Sequence, residues 1–368
     1  MSILNDIEKI RSLDPGNMYN KIFDLPEHLE DAIRIANEWK INPDDFSGVK
    51  NIVVVGMGGS AIAGDLVRSF LNTKLLVPLQ ICRQYGLPEY VDDETLVIAS
   101  SYSGNTEETI AAVEDALDRK ALVAAISTGG LLSDIASLNS IPIATIPGGM
   151  PPRAALGYSF APLLMFLDKI GLIKNAQQEL TMMVEKLKSF RDNYIEDIDL
   201  EKNMAKRLAQ RIRGKIPIIY GGPTLTDTVA LRWKGQLCEN SKVLAFNNVF
   251  PEFNHNELVG WSEQIKNMSE HLVVIVLRDF DDHPQVKARM DIVKGIIETF
   301  EVEVIEIYSR GDMPLERMFS LIQLGDFVSY YLAILSEVDP TPVKVIDFLK
   351  KALADKQKAI PPERPAVS

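Results

Sequence analysis

Twice in this chain of 368 residues an apolar run stops at paired glycines and gives way to helix-periodic sequence. The first case is "NIVVVGMGGSAIAGDLVRSFL", starting at Asn51, and the second is "KIPIIYGGPTLTDTVALRWKGQLCE", starting at Lys215. A continuous apolar strand leading into a helix is the pattern of a parallel sheet, whose strands are buried on both faces. Each case opens a series. The first continues with "KLLVPLQICR" (strand), "TLVIASSYSGNTEETIAAVEDALDR" (strand, loop, helix), "ALVAAIST" (strand), "IPIATIP" and the loop "GGMPPRAALG". The second continues with "KVLAFNNV" (strand), "HLVVIVLRDFDDHPQVKARMDIVKGIIE" (strand, loop, helix) and "EVEVIEIYS" (strand). Matching Ile52 with Pro217, Leu76 with Leu244, Val97 with Val273 and Leu122 with Val304 preserves order and element type, which predicts a duplicated α/β domain. Each copy is then a three-layer α/β/α unit, a parallel sheet flanked by helices. The expected division is an N-terminal helical extension over 1–45, a first domain over 46–175, a second over 176–350 and a tail over 351–368. Helical spacing is expected from Leu25 to Lys40 and from Ser159 to about Arg213.

The copies differ in chemistry at one loop. "SSYSGNTEET", Ser100 to Thr109, places hydroxyls where a strand hands over to a helix, whereas the second copy has "LRDFDDHPQ". A helix N-terminus leaves backbone N–H groups unpaired and carries partial positive charge, so an anion is stabilised there. Ser101, Ser103 and Thr106 add hydroxyl donors, and Gly104 lets the backbone approach closely. Without the lysine of a nucleotide P-loop, such a cup suits the monophosphate of a small molecule. The alternative is plain N-capping by Ser103 or Thr106, completed by Glu107 or Glu108. Capping needs one hydroxyl, not several.

A formal charge of −12 excludes a polynucleotide backbone as partner, so any anionic ligand is small and locally held. The cysteines, Cys82 and Cys238, have no spacing for a zinc site or a disulfide framework, which points to a reducing, cytoplasmic setting. No signal peptide is legible at the N-terminus, and no apolar run is expected to reach the ~20 residues that span a bilayer. "GMGGSAIAGD" falls short of the dinucleotide fingerprint, because Ala61 stands where the third glycine belongs. Gly58, Gly59 and Ser60 can instead present amides to a sugar at the carboxyl edge of the sheet, or serve tight strand-to-helix packing.

The pair "GMGGSAIAGD" and "SYSGNTEET" resembles the sugar isomerase (SIS) domain. With "CENSKVLAFNNVFPEFNHNELVGW" and "DPTPVKVIDFLKKAL" added, the chain resembles the bifunctional phosphoglucose/phosphomannose isomerase family, built from two tandem SIS domains, over about Asn51 to Leu353. The resemblance implies metal-independent interconversion of glucose 6-phosphate and mannose 6-phosphate with fructose 6-phosphate, and no cofactor. It makes Glu239, in "CEN", the base at C1 and C2; Arg153 the cation facing the enediolate; and His255, in "FNHNE", a ring-opening residue reaching the neighbouring subunit of a homodimer. The ring-opening lysine is Lys344 or Lys350, with Lys350 preferred. Thr341, in "DPTP", is implied to accommodate the C2 epimer, and it also fits a helix N-cap. Glu239 follows an apolar helix, which favours partial burial; arbitrary loop arginines, lone histidines and helical lysines are ordinarily solvated or structural.

Other readings remain open: a non-catalytic SIS regulator, or an isomerase of another phosphosugar. The regulator is disfavoured by the lack of a basic recognition helix. A glutamine-dependent aminotransferase needs an N-terminal cysteine, and residue 2 is Ser2.

Overall fold

The alternation of buried strands and amphipathic helices builds two parallel sheets. The computed structural model describes residues 2–359. Helices α1 (Ile7–Ser12), α2 (Met18–Phe23) and α3 (Leu25–Glu38) precede the first sheet. Then follow β1 (Asn51–Val55), α4 (Gly58–Leu71), β2 (Leu79–Cys82), β3 (Thr95–Ser101), α5 (Glu107–Asp118), β4 (Leu122–Ser127), α6 (Gly130–Leu138) and β5 (Ile143–Thr145). Helices α7 (Leu156–Lys169), α8 (Ala176–Arg191) and α9 (Met204–Ile212) lead to the second series. It comprises β6 (Ile216–Gly221), α10 (Thr226–Glu239), β7 (Phe246–Val249), β8 (Leu272–Arg278), α11 (Pro284–Glu298), β9 (Glu303–Tyr308), α12 (Pro314–Leu335) and α13 (Lys344–Ala359).

The strand orders are β2-β1-β3-β4-β5 and β7-β6-β8-β9, with every pairing parallel. Four strands of each sheet therefore correspond one to one, as duplication requires. Registers refine the matches. Leu96 lies opposite Ile52 and Val273 opposite Pro217, so Leu96 is the equivalent of Val273, one residue from the expected Val97. Leu76 and Leu244 both precede their strands and are exposed, because β2 and β7 are shorter than the apolar runs suggest.

Alternation along β1 and β3 separates two cores. Val53, Val55, Val97 and Ala99 pack in an outer cluster with Ile110 and Val113 of α5, while Ile52, Val54, Leu96 and Ile98 join an inner cluster. That inner cluster runs on through α4, α7, α10 and α12 to Ile219 and Ile275 of the second sheet, so one apolar layer lies between the sheets. Phe160 of α7 meets Phe319 of α12 edge to face, with ring centroids 4.8 Å apart.

Two expectations are corrected. The stretch from Ser159 to Arg213 is three helices, broken at Gly171 and Asn175, both in left-handed conformation, and again before Asn203, which caps α9. Helix α12, with 22 residues, is long and apolar enough to cross a membrane by length and composition, and it is wholly buried in the fold. Its Arg317 and Asp326 reach ion-pair partners inside the core, which is why the run reads as less apolar in sequence than it packs. Helix α13 continues across the boundary expected after residue 350, and the Pro-rich residues 360–368 lie outside the described residues.

Candidate active site

The hydroxyl loop leaves β3 at Ser101 and enters α5 at its N-cap, Thr106. Thr106 makes no side-chain capping bond; its hydroxyl instead pairs with that of Ser101 at 3.0 Å. The hydroxyls are thus not used for capping. Ser103 is exposed at the loop tip and accepts from the Asn105 N–H at 3.3 Å. Gly104 has φ +68°, and a Cβ there would stand 1.7 Å from the Gly129 carbonyl oxygen, so only glycine fits. The neighbouring loop braces this turn through Leu131 N–H to Asn105 Oδ1 (3.0 Å) and Leu132 N–H to the Gly104 carbonyl (2.9 Å).

Ser60 ties the loop to the start of α4, its Oγ accepting from the Tyr102 N–H at 3.1 Å. One residue earlier, a Cβ on Gly59 would lie 2.7 Å from the backbone of Pro152. That close approach seats the turn Pro152–Ala154 on the N-terminus of α4 and fixes Arg153 beside it.

Arg153 is 3% exposed. Its Nε donates to Asn240 Oδ1 (2.6 Å), one terminal nitrogen to Glu239 Oε2 (3.3 Å), and the other to the carbonyls of Pro340 and Thr341 (2.8 Å each). Glu239 is the last residue of α10, half-buried as its place after an apolar helix predicts. Helix α10 is held by α12: Gly325 leaves room for the Trp233 ring, whose Nε1 donates to the Leu321 carbonyl at 2.9 Å. A buried network adds to this. Arg232 bonds Asp326 (2.7 Å) and the Arg153 carbonyl (3.1 Å), and Gln236 bonds Asp326 (2.8 Å).

A cleft of about 170 Å³ opens between α4 and α10, lined by Gly58, Gly59, Arg83, Arg153, Lys234 and Glu239. Four cationic side chains, Arg83, Arg153, Arg232 and Lys234, line this cleft against one carboxylate, which suits an anionic ligand in a chain of net charge −12. Among the described residues, no group of three His, Cys, Asp or Glu is placed to hold a metal ion.

The structure therefore brings Gly59, Arg153 and Glu239 into one cleft, with Ser60 tied to the loop that carries Ser101, Ser103 and Thr106. Thr341 joins them through its backbone, while its Oγ1 is buried without a partner. His255 and Lys350 are exposed, and among the described residues neither shares a hydrogen bond or ion pair with these. His255 is exposed at the end of the short turn Glu252–His255 after β7, where neither Asn254 nor Asn256 bonds to it: Asn256 bonds Glu252 and the Glu257 N–H, and the Asn254 amide is buried without a partner. Lys350, like Lys344, is exposed on α13. The sequence reading passes over Asn240 and Lys242, which sit in the same "CENSK" as Glu239. Lys242, at φ +58°, aims its ammonium at the carbonyls of Glu239 (2.5 Å) and Pro340 (3.1 Å), and burial, then the charge of Arg153, lowers its pKa to about 8. Their signal was adjacency to the helix end.

This fold and cleft define a tandem SIS protein. The SIS domain family matches residues 45–168, and the bacterial phospho-glucose isomerase C-terminal SIS domain matches residues 201–353. A hypothetical protein from Thermus thermophilus shares the fold with a TM-score of 0.74 at 18% identity, over 96% of this chain and 94% of that one. The chain is also 47% identical to the bifunctional phosphoglucose/phosphomannose isomerase of Caldicellulosiruptor bescii, over 92% of this chain and 99% of that protein. It is 37% identical to that of Aquifex aeolicus, over 86% and 94%. The chain belongs to the bifunctional phosphoglucose/phosphomannose isomerase family.

Proposed function

We propose that this protein is a cytoplasmic homodimeric isomerase that interconverts glucose 6-phosphate and mannose 6-phosphate with fructose 6-phosphate through an enediolate, without a metal ion. The observation that carries the reading is the Arg153–Glu239 pair beside an α4 N-terminus that is itself bonded to the hydroxyl loop. The phosphate sits on the N-terminus of α5, among Ser101, Ser103 and Thr106, and the sugar runs past Gly59 and Ser60. Glu239 takes the C2 proton of the open-chain aldose and returns it to C1, while a proton passes from the C2 hydroxyl to the C1 oxygen. Arg153 stabilises the negative charge that develops on those oxygens. The turn of Pro340 and Thr341, whose carbonyls Arg153 holds, borders C2, where the two aldoses differ, and Thr341 sets its position there.

Ring opening falls to Lys350 and to His255 from the neighbouring subunit. One feature supports a second copy: α13 exposes Val345 (83%) and Phe348 (73%), side chains that ordinarily seek cover. The two free cysteines agree with a reducing compartment.

The test is a coupled assay with each aldose phosphate in the presence of EDTA, comparing wild type with Glu239→Gln. Turnover of both sugars by wild type, undiminished by EDTA, is expected, with loss of at least ~100-fold in the variant. Unchanged rates in Glu239→Gln overturn the base, and no turnover by wild type favours the regulator. Mixing Glu239→Gln with His255→Ala subunits tests the shared site: activity partly returns if His255 crosses between subunits and stays absent if it does not.

A further inference from the structure

Glycine at position 16 is not explained by its backbone. Its φ lies outside the left-handed region, where any residue is comfortable. What excludes a side chain is a neighbour distant in sequence. A Cβ on Gly16 would stand 2.2 Å from Thr341 Oγ1, 2.5 Å from its Cβ and 2.7 Å from its Cγ2. All three are far inside van der Waals contact, so Gly16 and the Thr341 side chain share one space.

Neither partner is free to retreat. Thr341 is held on its other side by Arg153, which donates to the carbonyls of Pro340 and Thr341, and by Lys242, which donates to Pro340; Asp339 Oδ1 accepts from the Thr341 N–H at 2.9 Å. The segment around Gly16 is equally fixed. Asp14 accepts from the N–H groups of Met18 and Tyr19, each at 2.8 Å, and Lys21 donates to the Gly16 carbonyl. The Tyr19 ring packs on Phe327 and Tyr330 of α12. A rigid hook before α2 therefore presses on the back of the turn that Arg153 holds from the front.

We propose that Gly16, outside both matched SIS regions, is a specificity-positioning residue: it sets how deep the Pro340–Thr341 turn sits behind Arg153, and so sets the balance between the two C2 epimers. This rests on the reading of the Pro340–Thr341 turn as what borders C2. The hook acts only through that turn, since Gly16 itself carries nothing to touch a sugar.

The experiment compares wild type, Gly16→Ala, Thr341→Gly and the double variant Gly16→Ala/Thr341→Gly, measuring kcat/KM for glucose 6-phosphate and mannose 6-phosphate and the melting temperature. Gly16→Ala is expected to change the ratio of the two kcat/KM values by ~10-fold. In the Thr341→Gly background, where the clashing atoms are gone, the same substitution is expected to change the ratio by less than about twofold, the non-additivity of residues in contact. A merely structural role would lower both activities together or move only the melting temperature. A ratio unchanged in Gly16→Ala, or a shift that persists in the Thr341→Gly background, overturns the proposal. Should Gly16→Ala alone fail to fold, the ratio is read on Gly16→Ala/Thr341→Ala against Thr341→Ala, where only the Cβ contact remains, and equal ratios overturn it. An unchanged ratio in Thr341→Gly alone would instead sink the role of Thr341, a failure visible without touching Gly16.

Discussion

The two sheets carry loops of equal length at the same place, with opposite chemistry. Ser101 is the last residue of β3 and Thr106 the N-cap of α5; Arg278 is the last residue of β8 and His283 the N-cap of α11. In the first loop the hydroxyls bond one another and leave the helix without a side-chain cap. In the second, His283 caps α11 by accepting from the Gln285 N–H at 3.1 Å. Arg317, reaching in from α12, bonds Asp279 (2.9 Å) and Asp281 and lies over the Phe280 ring. The first loop's hydroxyls bond within the loop, and the second loop's carboxylates are taken up by Arg317 and by backbone N–H groups. The paired helices diverge in the reverse sense. Both α4 and α10 have 14 residues, yet α4 ends in buried Leu71 and α10 in Glu239. Duplication supplied one scaffold twice, and on the proposed reading each copy kept a different half of one site.

Glu239→Gln breaks this division of labour most severely. It keeps the helix end and its size but removes the carboxylate proposed as the base, so kcat for both sugars is expected to fall roughly 10²- to 10⁴-fold with the melting temperature unmoved. Loss of structure with no specific loss of turnover would make Glu239 a scaffold residue, and the two copies chemically alike.

Next in size is the second loop. Asp279→Ala leaves the Arg317 guanidinium, 4% exposed, with only the exposed Asp281 as carboxylate partner. Breaking a buried pair from one side costs about 3 kcal/mol, read from denaturant unfolding. The folded enzyme should keep its KM for both sugars. If KM rises instead, the second loop takes part in binding and the contrast between copies fails.

Ser103→Ala should do the reverse at smaller scale. Removing one neutral donor to a charged phosphate is worth roughly 1.4 kcal/mol, about tenfold in the inhibition constant of a phosphosugar analogue, with stability unchanged because Ser103 is exposed. An unaltered constant would place the phosphate elsewhere.

What was legible in the sequence was whatever is written locally. Buried strands, glycine turns and the hydroxyl loop each announce themselves within a short window, and the duplication follows from their order. Glu239 was singled out only by the family resemblance that "CENSKVLAFNNVFPEFNHNELVGW" carries; its place after an apolar helix predicted partial burial and nothing more. Contacts between distant segments were not: nothing near Gly16 points to Thr341, and nothing in "LGDFVSYY" shows that Asp326 turns inward to meet Arg232 and Gln236. The length of β2 was overstated because Leu75 and Val77, just before it, pack against the inner core from an irregular segment rather than from a strand, with Leu76 between them exposed.

The smallest expected effect concerns Asp282, the residue before the cap of α11. It is buried, and its Oδ2 accepts from the Asp279 N–H at 2.8 Å while Oδ1 faces Gly222. Burial, with Asp279's negative charge adding to it, raises its pKa from 3.8 to about 6; the Asp279 N–H, Lys287 and Arg278 pull the other way. The folded state thus holds this proton more tightly than the unfolded chain, so its contribution to stability falls as pH rises from about 4 to about 6 and stays low above that. Asp282→Asn keeps an acceptor for the Asp279 N–H but removes the charge. At pH 7 the variant should unfold with about 1 kcal/mol more difficulty than wild type, the advantage vanishing near pH 4, where wild-type Asp282 is protonated. Asn105, its equivalent in the first loop, is exposed and uncharged and bonds Leu131, so Asn105→Ala should show no such pH dependence. Matching pH profiles for the two variants would mean that the second loop is not the self-closed, charge-burying counterpart of the first.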